Sequence, residues 1–374
     1  MSHSKIKSIK AEDHKAYWLM ILPAFIVYLL VMGFPIILSF ILSLSNYNGG
    51  KMFGGEPWEI TGFQQYSKLL VDSNFWYALK NNIYVVLISV FGQLPLGLFL
   101  AYLIYRNTVR YGDLWQGVLY VPAIISVIVI GIMWGMIFSP YGPLSEIVNR
   151  YHTYVYTSKL TTIFNQAGGF NITDTLIKNI YSLSGPIVDQ TFTNTAKFKD
   201  FLLGYSPDQL AMLKNDLSNL FAPKWSADFL NQRNVAMIPI LFVTLWSWTG
   251  LYLILFLGNM QKISPDILEA AQIDGASEGK ILTKIILPSL SGVIMNAAIL
   301  CIAGSLSGFD LIFAMTGGGP ARITQVLSIY MYENAFMGAP DYPFANAISI
   351  AIVLFSFILV AMAKFAENKF GGRD

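Results

Sequence analysis

The sequence predicts an all-α polytopic membrane protein with six transmembrane helices and a helical extracytoplasmic insert. Three observations carry this expectation. Of 374 residues, 55% are hydrophobic and 12% charged, against about 25% charged in soluble domains. The apolar residues are gathered into runs of about twenty or more, the length a helix needs to cross a bilayer. One stretch, Ser139 to Asn234, instead has the composition of a soluble protein and divides the apolar runs into two groups. Lipid offers the backbone no hydrogen-bond partners, so every run is expected to be helical.

In chain order, residues 1–16 are polar, with Lys5, Lys7, Lys10 and Lys15. Tyr17 to Leu44 is the first span, interrupted by Pro23 and Pro35. It is too long for a signal-peptide core and lacks a small-residue cleavage site. Ser45 to Lys80 is a polar loop. Ile83 to Tyr105 is the second span; its length corresponds to roughly 34 Å at about 1.5 Å per residue. Residues 106–114 are a basic turn with Arg106 and Arg110. Trp115 to Phe138 is the third span, so residues 17–138 hold the first three.

Residues 139–234 form the insert. Ser206-Pro207-Asp208 opens a helix to Phe221 with Leu210, Leu213, Leu217 and Leu220 on one face, and Thr195 to Leu203 is a shorter helix stopped by Gly204. Residues 235–364 carry Val235–Gly258, Leu290–Phe313 and Phe344–Ala363 as spans four to six, with a polar loop at 260–288. Residues 365–374 are the tail.

Lysine and arginine set the orientation. With both termini inside, inner segments hold the N-terminal lysines, Arg106, Arg110, Lys262, Lys280, Lys284, Lys364, Lys369 and Arg373. The two shorter outer loops hold Lys51, Lys68, Lys80 and Arg322. Both termini and the 260–288 loop are therefore expected on the cytoplasmic side.

That loop is the most informative stretch. Ser264 stands at an N-cap position, Pro265 at the first helical position, and Asp266 and Glu269 place negative charge in the first turns. Ile267, Leu268, Ala270, Ala271 and Ile273 give the helix an apolar side. Gly275 permits a sharp change of direction. A second periodic segment follows, with Ile281, Leu282, Ile285 and Ile286, and Pro288 precedes the next apolar run. The predicted object is a helix, a glycine turn and a second helix, forming a knob between two spans.

Glu269-Ala270-Ala271, three residues, Gly275, nine residues, then Ile285, Leu287 and Pro288 resembles the EAA pattern of ABC-importer permeases. An unrelated amphipathic helix would share Glu-Ala-Ala by chance but not the whole string. The resemblance implies that Glu269, Ala270, Ala271, Asp274, Gly275, Leu287 and Pro288 form a coupling element docking on a cytoplasmic ATPase. Phe309 to Met315, followed by Thr316-Gly317-Gly318-Gly319-Pro320, Thr324 and Tyr330 to Phe336, is similar to the carbohydrate branch of these permeases, the maltose, oligosaccharide and glycerol-phosphate types. Asn81, Arg106, Arg110 and Pro122 fit the same branch. The similarity covers roughly residues 17–145 and 235–365.

This resemblance implies a heterodimer with a second homologous permease, two ATPase subunits that bind the ATP and magnesium, an extracellular or periplasmic solute-binding protein, and a bacterial cell membrane. This chain itself would bind no cofactor. The solute would be a sugar or oligosaccharide, or alternatively another solute such as a glycerol-phosphate compound. The insert could dock a solute-binding protein or wall a vestibule, or be a tolerated loop expansion. Trp246, Trp248, Tyr252, Ser305 and Asp310 are candidates for the solute path, because sugar C–H faces stack on aromatic rings and sugar hydroxyls need polar partners. Trp246 and Trp248 could equally anchor at the membrane interface, and Gly304 and Gly308 read better as a packing seam. Asp310 could instead lie near the outer membrane surface.

Other classes fit less well. A net charge of +2 gives no electrostatic case for nucleic acid. Cys301 is the single cysteine, so no internal disulfide or cysteine metal site can form. His3, His14 and His152 are scattered, which indicates neither a metal cluster nor a catalytic dyad. No G-x-x-x-x-G-K-[ST] string occurs; Gly275 to Lys280 is one residue short. An ion-driven secondary transporter would need coupling acids or broken helices repeated between two halves. A receptor or enzyme working through residues 139–234 is the remaining alternative. Asn171-Ile172-Thr173 matches a glycosylation sequon, a tripeptide expected by chance in a chain of this length.

Overall fold

The computed structural model describes residues 18–50, 58–148, 151, 229–233 and 235–370. The N-terminal lysines, the sequon, the predicted helices at 195–203 and 206–221, and the last four residues lie outside them. Among the described residues the fold is helical, and the only β pairing is an isolated Ser45–Ile60 bridge closing the loop after the first helix. The chain divides into two compact units, Met1–Ile132 with Met237–Asp374, and Met133–Ala236. In the second unit Phe138 packs edge-on against Phe229 with ring centroids 6.0 Å apart.

Four helices are long and apolar enough to cross a membrane without interruption, or six if each of two bent pairs is one span. The uninterrupted ones are α1 (Trp18–Ser43), α3 (Ser73–Tyr105), α6 (Met237–Met260) and α12, which runs Tyr342–Phe370 with its apolar part at Tyr342–Phe365. Between α1 and α3 lies the short α2 (Gln64–Val71).

Two expectations change here. The stretch expected as loop up to Lys80 already contains α2 and the start of α3. Asp72 explains the early start: its carboxylate accepts from the Asn74 N–H at 3.0 Å and caps the helix. Phe75, Ala78 and Leu79 then pack against Leu327, Phe344 and Ile348, so burial holds a polar-looking first turn in helical form.

The third and fifth spans are not continuous. The third is α4 (Gly112–Ile124) and α5 (Val127–Ile137), bent by 95°. Ile125 is extended, with φ −70° and ψ 146°, three residues after buried Pro122, which has no N–H to keep the helix ladder intact. The fifth is α9 (Ser291–Ser307), stopped where Gly308 leaves the helical conformation with φ −58° and ψ 112°, followed by the short α10 (Asp310–Thr316). Before it, α8 (Glu278–Ser289) bends by 68° into α9.

Prolines also leave a regular mark. A π turn occupies Leu29–Gly33, Ser89–Gln93 and Leu282–Ile286. Each ends two residues before a proline: Pro35, Pro95 and Pro288. A proline ring collides with the carbonyl one turn back and supplies no donor, and widening that turn relieves the collision. The Pro35 and Pro95 helices therefore stay continuous.

The helices approach each other closely where glycine allows. A Cβ on Gly250 of α6 would lie 2.1 Å from the Leu119 carbonyl oxygen of α4, and one on Gly97 of α3 would lie 2.9 Å from the Tyr252 Cβ. The largest apolar core forms around these crossings. Leu94, Ala101 and Ile104 of α3, Leu253, Phe256 and Met260 of α6, and Ala297 of α9 belong to it. By contrast, α1 from Trp18 to Phe40 turns large apolar side chains outward along most of its length.

Candidate functional site

The knob consists of α7 (Pro265–Ile273), a turn and α8. Pro265 occupies the first turn of α7, and Asp266 supplies the acidic first-turn charge. Ser264 stands at the N-cap, but its hydroxyl does not cap the backbone; it donates to the stronger Asp266 carboxylate acceptor at 3.4 Å.

The far end of α7 closes by a specific device. The Gly275 N–H donates to the Gln272 carbonyl at 3.0 Å, and the Ala276 N–H to the Ala271 carbonyl at 2.9 Å. These two bonds form a Schellman cap, which needs a left-handed residue at the first position past the helix. Gly275 supplies it with φ +78°, and its surroundings are open, so the constraint is backbone conformation, not space.

Knob residues divide cleanly between an inner and an outer face. Leu268 and Ile281 are buried in the core that α3 and α6 build, with Ala271, Ala276, Leu282 and Ile285 packed against them. Glu269, Ala270, Asp274 and Pro288 are exposed, and Leu287 is half-buried. Ile267 and Ile273 are 53% and 86% exposed, so the apolar side expected of α7 is split. Leu268 and Ala271 anchor inward, while both isoleucines face out beside Glu269 and Ala270.

Sequence reasoning did not find the ionic contact that fixes α8. Both Glu278 carboxylate oxygens meet Arg106: Oε1 receives Nη2 at 2.5 Å and Oε2 receives Nε at 3.0 Å. The Tyr102 hydroxyl donates to Oε2 at 2.6 Å. The Arg106 hydrogen bonds, then that of Tyr102, hold the Glu278 carboxyl below the usual carboxylate range. The pairing raises the Arg106 guanidinium further. Glu278 lies in the first turn of α8, where a carboxylate favours the helix dipole, and that position was its only local signal.

About twenty-four residues along α3 from Arg106, or some 36 Å at helical rise, a second set of polar contacts is built. Buried Asn81 donates through Nδ2 to the Ile323 and Gln325 carbonyls at 3.1 and 2.8 Å. Buried Asn82 donates to the Ser305 and Leu306 carbonyls at 3.3 and 3.4 Å, near the broken end of α9. Its Oδ1 accepts from the Leu327 N–H at 2.7 Å, at the start of α11 (Leu327–Phe336). The glycine-rich turn reached by Asn81 folds on itself: Gly317 and Gly318 have φ +60° and +85°, and Thr324 donates to the Gly319 carbonyl at 3.0 Å.

The candidates in the spans separate. Tyr252 and Ser305 are buried; Tyr252 belongs to the core, and the Ser305 hydroxyl donates to the Cys301 carbonyl of its own helix at 2.7 Å. Trp246 is half-buried, while Trp248 and Asp310 are exposed. A Cβ placed on Gly304 would meet nothing within 4 Å, so among the described residues Gly304 makes no packing seam. The outward face of α9 carries Asn296, Leu300, Ala303 and Ser307 at helical spacing. Among the described residues no group of three or more acidic, histidine or cysteine side chains could hold a metal.

The family described as the binding-protein-dependent transport system inner membrane component matches residues 93–371. The chain belongs to that family. The permease is therefore the membrane part of a transport system and not an enzyme. It is similar to the lactose transport system permease protein LacF of Rhizobium radiobacter, 25% identical over 99% of both chains. It is also similar to the trehalose/maltose transport system permease protein MalF of Thermococcus litoralis, 25% identical over 96% of the permease and 97% of the relative. A crystal structure of a bacterial alginate ABC transporter, in complex with an alginate pentasaccharide-bound periplasmic protein, contains a chain with the same fold. That chain has a TM-score of 0.63 and 20% identity, with 98% of the permease and 97% of that chain covered. The family match takes in the knob, the glycine-rich turn and α12, and leaves α1 outside.

Proposed function

We propose that the permease forms half of the translocation path of a sugar or oligosaccharide importer, paired with a second, homologous permease. Relatives named for lactose and for trehalose/maltose, and the alginate transporter fold, support the solute class. In this reading the chain crosses the membrane six times, with α4 and α5 together making the third span and α9 the fifth, and the distribution of lysine and arginine supports both termini and the knob on the cytoplasmic side. Two separate ATPase subunits bind ATP and magnesium, and a solute-binding protein delivers the sugar from outside.

The observation that carries this reading is the two-sided knob. Leu268 and Ile281 seat it in the core of the spans, while Ile267, Glu269, Ala270 and Ile273 stay uncovered. A monomer gains nothing by exposing isoleucines beside a carboxylate, whereas a docking partner gains an apolar contact and a charge to pair. ATP-driven closure of the ATPase pair pushes this face, and the buried face passes the displacement to α3 and α6.

For the solute path, the exposed α9 stripe of Asn296, Ala303 and Ser307, continuing to Asp310, is favoured over buried Tyr252 and Ser305. Polar groups on a spanning face are costly in lipid and face a partner or water. Gly275→Pro and Glu269→Lys, made in the assembled importer, are expected to abolish uptake and stimulated ATPase while membrane insertion continues. Normal uptake in both variants would refute the coupling role.

A further inference from the structure

We propose that Arg106 and Tyr102 are positioning residues that lock the second knob helix to the cytoplasmic end of α3, so that knob and span move as one body. The proposal rests on the coupling role of the knob given above. It arises from a contact between segments 172 residues apart in sequence. Arg106 donates from Nε and Nη2 to the two oxygens of one carboxylate, and the Tyr102 hydroxyl adds a third bond to the same group. Such a planar two-bond pairing fixes direction as well as distance.

Burial alone does not fix that direction. Ile281 is held among the packed apolar side chains of the core, and apolar contacts resist separation more than rotation. Ser277, at the N-cap of α8, makes no side-chain capping bond, so the contacts of Glu278 carry the orientation of the first turn. The Glu278 side chain is 58% exposed and that of Arg106 16% exposed. With the carboxylate this open to solvent, the pair adds little to stability. Its effect is expected in transmission, at nearly unchanged folding.

The test uses the importer as purified with its ATPase subunits and reconstituted in proteoliposomes. An Ala303→Cys reporter in a Cys301→Ala background, on the exposed face of α9, is labelled with a maleimide with and without Mg-ATP. In the parent the labelling rate is expected to change several-fold with ATP. In Arg106→Ala and in Glu278→Gln the ratio is expected to fall to about 1, the value for no coupling, while ATPase still co-purifies. Tyr102→Phe, which removes one bond and no charge, is expected to fall in between. The exchange Arg106→Glu with Glu278→Arg is expected to recover most of the response, which distinguishes pairing from a merely structural loss.

A full ATP response in both Arg106→Ala and Glu278→Gln overturns the latch and leaves the importer reading intact. Failure of the exchange to recover any response, with the protein monodisperse and carrying its ATPase, also overturns it. If the unmutated permease captures no ATPase at all, the importer reading falls and the latch falls with it.

Discussion

Asn82→Ala is the most direct probe of how the broken fifth span is held. Asn82 is fully buried, and its amide makes one short and two long bonds, at 2.7, 3.3 and 3.4 Å. The short bond matters most. It gives the Leu327 N–H its partner at a helix start where Val326 provides no side-chain cap. Removing the acceptor leaves a buried N–H unpaired, which costs about 1–3 kcal/mol. The two long bonds share one NH2 group and end on carbonyls, so they add about 0.6 kcal/mol, the average for polar contacts between membrane helices.

The sum is about 1.6–3.6 kcal/mol, or roughly a 15- to 400-fold rise in the unfolded fraction at a tenfold change per 1.4 kcal/mol. Asn82→Asp discriminates further. It keeps the acceptor but turns a carboxylate toward the Ser305 and Leu306 carbonyls, so it is expected to be worse than alanine. Reversible unfolding in mixed micelles, followed by tryptophan fluorescence, gives the comparison. An Asn82→Ala protein as stable as the parent refutes the assignment of the Leu327 bond as the dominant contribution, and an Asn82→Asp protein more stable than Asn82→Ala refutes the expected repulsion between a carboxylate and the Ser305 and Leu306 carbonyls.

Other outcomes follow from the same contacts. Gly250→Val drives a side chain into the Leu119 carbonyl, where a Cβ would already sit 2.1 Å away. Because backbone must move, the cost is expected to reach or exceed the roughly 1–3 kcal/mol of ordinary overpacking, seen as loss of monodisperse protein. Leu268→Ala and Ile281→Ala each empty a site in the core under the knob. Each should destabilise by about 2–5 kcal/mol and make the 260–288 loop more sensitive to limited proteolysis. The Glu278 carboxyl is held low by Arg106 and Tyr102. Its contribution is therefore present above the ordinary carboxylate value of about 4.3, and is lost only as pH falls through the lower folded value. The effect is local: proteolytic protection of α8 should be flat between about pH 6 and 8 and decline modestly in acid while global unfolding is nearly unchanged, with Glu278→Gln showing no such acid step.

Much of this molecule is local and was therefore legible in the residues. The apolar runs, the start of α7 at Pro265 and the reversal at Gly275 follow from length, periodicity and one left-handed φ. Each is a property of a few consecutive residues. The glycine-rich turn after α10 was readable for the same reason. The start of α3 was missed because Ser73, Asn74, Lys80, Asn81 and Asn82 flank its apolar residues with polar ones, and only packing against α11 and α12 makes it an interior helix. The breaks at Ile125 and Gly308 were missed because the surrounding hydropathy is uninterrupted; the apolar count along a run carries no record of its direction.

By itself the sequence determined that the chain inhabits a membrane as helices and presents an amphipathic helix–glycine–helix knob between two spans. Local chemistry suffices for both. Only the tertiary structure decided which side of each helix is covered. Periodicity tells which residues share a face, not what that face meets. So Tyr252 and Ser305 went inside, Asn296 and Ser307 stayed outside, Ile267 and Ile273 were left open, and Arg106 found Glu278 across 172 residues of chain.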